Sequence, residues 1–201
     1  MSLILNGDGI VTGLAVGGLP DGTVDSGTIA ADVASKAELD ALVTGKVLQV
    51  VSTQTRTQGT YSAPTSGDGT ELTPLTLTIT PTAAGNRVIL DWIVNAESHN
   101  NIVFIVTRNG TRLTDTTDAS NNRWAGIAVP HYDNETASTP ENVVIRIIDS
   151  NSLDVSSVYK VHTRSAAGSS VTTYLNRSSG STGADGYETT LSTATATEVA
   201  A

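Results

Sequence analysis

The hydrophobic pattern changes character near residue 45. Beyond it, apolar and polar positions alternate in short runs. LTPLTLTIT (72–80) alternates most cleanly, with Leu75, Leu77 and Ile79 on one side and Thr76, Thr78 and Thr80 on the other. That period of two is the mark of a half-buried strand. Pro74 and Pro81 bracket it and point to an edge or a strand start. RVILDWIV (87–94) is apolar on both faces apart from Asp91, which predicts a strand covered twice, with a subunit interface on its second face. IVFIVTRNGTRLT (102–114) places Asn109-Gly110 between strand-like flanks, the strongest local hairpin signal. Further strands are predicted at KVLQVV (46–51), RWAGIAV (123–129), NVVIRIID (142–149), SVYKVHT (157–163), VTTYLNR (171–177) and ETTLSTATATEV (188–199). Polar loops separate them at 95–101, 115–122, 131–142 and 177–186. Roughly eight or nine short strands with no helix between them predict an all-β fold, a jelly-roll-like antiparallel β-sandwich. No repeat of solenoid length is present.

Residues 1–45 read differently. Leu3, Ile4, Leu5, Ile10, Val11, Leu14 and Val16 alternate with Gly and small polar residues, and Pro20-Asp21-Gly22 is a turn. Ordering such a Gly-rich stretch costs much backbone entropy, so it predicts an extended arm ordered by a partner surface. Residues 35–44 predict a short helix. Ser35 and Glu38 match a capping box, Leu39, Leu42 and Val43 form one apolar edge, and Gly45 is the stop. A helix this short does not stand alone in water. Its edge predicts packing on the body or a meeting of three copies on an axis. The expected organisation is an arm with its helix over 1–45 and a β body over 46–201.

Composition narrows the partners. Hydrophobic residues make up 38% and aromatics 4%, so Val, Ile, Leu and Ala must fill the core, and oligomerisation would add burial. A net charge of −9 without any basic run argues against nucleic acid. The chain has no cysteine, which excludes disulfides, thiolate zinc sites and thiol catalysis. The opening MSLILNGDG has neither a basic n-region nor a long apolar run, so no signal peptide is expected, and no stretch predicts membrane insertion. The sequons at Asn109, Asn134 and Asn176 read as chance matches in a Thr/Ser-rich chain.

Chemistry is sparse. His99 and His131 fall in polar loops and His162 on a strand, with no nucleophile elbow nearby. Asp115 and Asp118 form the closest acidic pair, with Asp91 and Glu97 more isolated, all in contexts where Asp and Glu serve the backbone. Asn6-Gly7-Asp8-Gly9 begins like a calcium loop, but Gly17 stands where the bidentate Glu belongs. No catalytic residue, cofactor or metal site is expected, and the protein reads as a non-enzyme. Trp124, Tyr132 and Tyr187 flank polar loops and are the candidate glycan contacts. Against that stands their use as packing aromatics, since the chain has only two Trp, five Tyr and one Phe.

The opening NGDGIVTGLAVGGLPDGTVDSGTIA resembles the N-terminal segments of tailed-phage tail-fibre and virion structural proteins, in which GLPDG-V precedes a short helical link. KVLQVV, LTLTITPTAAGNRVIL, VTRNGTRL and TATATEVAA follow the order seen in the compact β domains of that group. The resemblance implies a homotrimer on the virion surface. Leu3, Ile4, Leu5, Ile10, Val11, Leu14 and Val16 would be the docking contacts to a major capsid or tail protein, and Leu39, Leu42 and Val43 the trimer contacts. No long shaft separates arm from body, which favours a capsid decoration or cement protein over a short tail fibre touching host glycans. A free carbohydrate-binding module is the reading from another class.

Overall fold

Strand β7 (Arg87–Glu97) organises the body: its even-numbered side chains Val88, Leu90, Trp92, Val94 and Ala96 all point into the core. The computed structural model describes residues 4–5, 11–12, 45–113, 125–131, 139–150, 154–180 and 188–201. The chain divides into two units, residues 1–43 and 44–201. In the first, β1 (Ile4–Leu5) and β2 (Val11–Thr12) pair antiparallel, Ile4 opposite Thr12 and Leu5 opposite Val11.

The second unit is an antiparallel β-sandwich, the class expected. In the larger sheet, β10 (Glu141–Asp149) runs along one side of β7. The other side of β7 is shared by β13 (Ser192–Val199), opposite residues 87–93, and β12 (Val171–Leu175), opposite residues 96–97. Outside them lie β3 (Val47–Thr55) on β13 and β4 (Gly59–Ala63) on β12. In the smaller sheet, β11 (Ser157–Ser165) pairs with β8 (Ile102–Arg108) on one side. On its other side it takes the short strands β5 (Thr70–Glu71) and β6 (Leu77–Ile79). A hairpin joins β8 to β9 (Thr111–Arg112).

Alternation places the core. Val143, Ile145 and Ile147 of β10 and Ala194 and Ala196 of β13 face Ile102, Phe104 and Val106 of β8 and Tyr159 and Val161 of β11. Trp92 is fully buried, and its Nε1 donates to the Leu75 carbonyl at 2.9 Å. Thr163 and Thr173 join the two sheets inside the sandwich, Oγ1 to Oγ1 at 2.6 Å.

Several elements depart from the sequence expectation. Pro74 lacks an amide hydrogen, and Thr73–Leu75 forms a 3-10 turn, so the strand within 72–80 covers only Leu77–Ile79. Leu75, Leu77 and Ile79 are nonetheless all buried. RWAGIAV does not form a strand over its described residues: Ala128 makes a single bridge to Phe104, and Pro130 cannot donate to extend it. In ETTLSTATATEV the strand starts only at Ser192. Strands β4 and β5, which carry no apolar repeat, fall outside the expected strands. The strand buried on both faces is β8, whereas β7 is half-covered on its outer side. The predicted helix over 35–44 lies outside the described residues.

Candidate functional site

Several ionisable groups of the body tie strands together. Glu198 is fully buried at the inner face of β13. Its Oε1 accepts from Asn86 Nδ2 (2.6 Å), Thr82 N (2.7 Å) and Thr82 Oγ1 (2.8 Å), and its Oε2 from Gln49 Nε2 (2.6 Å). Burial pushes this carboxyl up, but the hydrogen bonds from Gln49, Asn86 and Thr82 outweigh it and hold the group below the usual carboxylate range. Glu71 follows the same logic: burial raises it, while Lys160 Nζ at 2.7 Å and Thr76 Oγ1 at 2.6 Å bring it below its ordinary value. Arg112 Nε reaches Asp68 at 2.7 Å and its Nη2 reaches the Gly67 carbonyl, tying the 65–69 turn to β9.

The three histidines lie apart in the body. Burial holds His162 below the ordinary imidazole range, and its Nε2 lies 3.0 Å from Thr107 Oγ1. His99 meets the Tyr174 ring edge-on with centroids 6.0 Å apart, and the Arg177 guanidinium lies 4.8 Å from that ring's centre. His131 is exposed on the segment after Ala128. Among the described residues, none of the three hydrogen-bonds to a carboxylate, and no three His, Asp or Glu side chains gather to hold a metal ion.

The feature left for contact is the outer face of the larger sheet. Strand register arranges it in three rows. The first holds Ile148, Ile89, Thr197 and Val50, the second Arg146, Asp91, Thr195 and Ser52, the third Val144, Ile93, Thr193 and Gln54. The two flanking rows carry exposed apolar side chains: Val144 is 62% exposed, Val50 58%, Ile148 56% and Ile93 40%. The middle row carries an ion pair, Arg146 Nε to Asp91 Oδ1 at 2.5 Å. On the β3 side the face opens into a depression of about 440 Å³ lined by Ser52, Thr53, Gln54, Thr193 and Thr195. Exposed apolar groups therefore recur at register positions along this face instead of standing singly. This face is only partly legible beforehand. RVILDWIV signals it, but NVVIRIID, apolar on both faces over 143–148 apart from Arg146, carries the same signal and supplies the more exposed half.

Of the expected contact residues, Ile4, Leu5 and Val11 lie on the paired strands β1 and β2. Leu3, Ile10, Leu14, Val16, Leu39, Leu42, Val43, Trp124, Tyr132 and Tyr187 lie outside the described residues. Of the sequons, Asn109 forms the β8–β9 turn, Asn176 is fully buried, and Asn134 is outside the described residues. Trp92 is a core residue. No helix among the described residues is long and apolar enough to cross a membrane. In comparison with known proteins, no family model matches this chain and no curated protein matches it.

Proposed function

We propose that this chain is a non-enzymatic virion structural protein of the capsid decoration or cement type, held to the particle by its N-terminal arm. The observation that carries the reading is the division at residues 43/44, between a segment bearing the two-residue strands β1 and β2 and a body in which the buried carboxylates of Asp149 and Glu198 tie its own strands. A body built this way presents surface, not chemistry. The arm's Leu3, Ile4, Leu5, Ile10, Val11, Leu14 and Val16 supply apolar contacts to a capsid or tail protein, by strand addition or groove packing. Leu39, Leu42 and Val43 gather three copies, so that weak single arms act together. Deleting residues 1–34 tests this. The truncated protein is expected to keep its unfolding transition and to be absent from particles. Recovery of folded truncated protein on particles would remove the arm assignment.

A further inference from the structure

We propose that the outer face of the larger sheet binds a second copy of this chain, about a two-fold axis that lies in the interface and runs along the strands between β7 and β10. The argument does not depend on the virion reading. A two-fold contact places the same patch against itself, so the patch must be self-complementary. This one is. Rotation about an axis along the strands keeps each row in place and exchanges β7 with β10. Ile148 then meets the partner's Ile89, Val144 meets the partner's Ile93, and Arg146 meets the partner's Asp91. Apolar rows cover apolar rows, and the one charged row meets its opposite sign twice. A two-fold axis across the strands would keep the apolar match but set Arg146 on the partner's Arg146, and like charges facing each other disfavour it.

The exposures agree with this occupant. Arg146 is 72% exposed and Asp91 31%, so the pair within one chain leaves the guanidinium free to bridge to a second carboxylate. Val144 and Ile148, the exposed apolar residues of the β10 half, fall over the less exposed Ile93 and Ile89 of β7. A patch two strands wide is small, so the contact is of the weak, concentration-dependent class.

Sedimentation of the full chain over a wide concentration range tests this with Val144→Glu and Ile148→Glu, both at exposed positions on an edge strand. At high concentration each variant is expected at a lower mass than the wild type, half of it where the two-fold contact closes the assembly. Equal masses would overturn the proposal. A charge exchange guards against loss of fold. Arg146→Asp and Asp91→Arg should each lose association alone, and mixing them should restore the wild-type mass, because every contact across the axis then pairs Asp with Arg. Failure of the folded mixture to associate would equally overturn it. The unfolding midpoint of each variant establishes folding, because an exposed ion pair contributes little to stability.

Discussion

Asp149 Oδ2 accepts a 2.8 Å hydrogen bond from the buried Tyr159 hydroxyl, and the same oxygen accepts from Arg108 Nη1 at 2.6 Å. Asp149 belongs to the larger sheet, Tyr159 and Arg108 to the smaller, so one carboxylate ties the two layers. Burial, reinforced by Asp149, pushes the Tyr159 phenol well up, which keeps it a donor. Tyr159→Phe removes one charge-assisted bond and should cost about 1.5–3 kcal/mol. Asp149→Ala removes the acceptor shared by the phenol and the arginine and should cost more, about 3–5 kcal/mol. Urea unfolding at neutral pH compares them. An Asp149→Ala loss no larger than that of Tyr159→Phe would remove Asp149 as the joint.

Glu198 makes stability depend on pH in a stated direction. Its folded pKa lies below the unfolded value of about 4.3, so its contribution is complete above that value and is lost as pH falls through the folded pKa. Glu198→Gln should cost about 1–3 kcal/mol at pH near 7, where the charge-assisted bonds count fully. The gap between the two proteins should close on acidification below about pH 4. Thermal melts across acidic pH read it. A gap that stays constant would mean that the carboxylate's charge contributes nothing.

Asn176 is fully buried with φ at 58°, a left-handed conformation unusual for a residue with a side chain. Its amide donates to the carbonyls of Thr55 (3.0 Å) and Thr57 (3.1 Å) and accepts from Ser192 Oγ (2.5 Å), joining the ends of three strands. Asn176→Ala loses these bonds and keeps the strain, and should cost about 2–4 kcal/mol. Asn176→Gly relieves the strain alone and should be milder by about 1 kcal/mol. Equal losses, measured by denaturant unfolding, would show that backbone conformation plays no part.

Much of this architecture was legible from periodicity. RVILDWIV, IVFIVTRNGTRLT and NVVIRIID announce strands because apolar side chains recur over seven or more positions, and Asn109-Gly110 announces its turn because few other pairs accept two positive φ values, here 49° and 82°. GTYSA and Thr70–Glu71 carry no such repeat, and their strands exist only because β12 and β11 offer them edges. The second apolar face was legible on β7, but its rows depend on which strands become neighbours, which no local pattern encodes. Nor could Glu198 be singled out, because its partners lie more than a hundred positions away in the chain.

Two glycines separate strain from collision. Gly110 has φ at 82° with open space where a Cβ would stand, so Gly110→Ala should cost about 1 kcal/mol, from conformation alone. Gly69 has φ at 91°, and a Cβ there would strike the Thr163 carbonyl oxygen on β11. Gly69→Ala should therefore be clearly the more damaging, because the neighbour is backbone and cannot rotate away. Thermal melts of the two variants make the comparison, and equal midpoints would show that the 65–69 turn is not held against β11.

The proposed function is tested most directly by location. An antibody to the body, applied to purified phage particles carrying this protein and viewed by electron microscopy, is expected to label the shell over its whole surface. Label confined to the tail would contradict the decoration assignment and make the protein a short fibre. Particles without label would contradict the virion reading altogether.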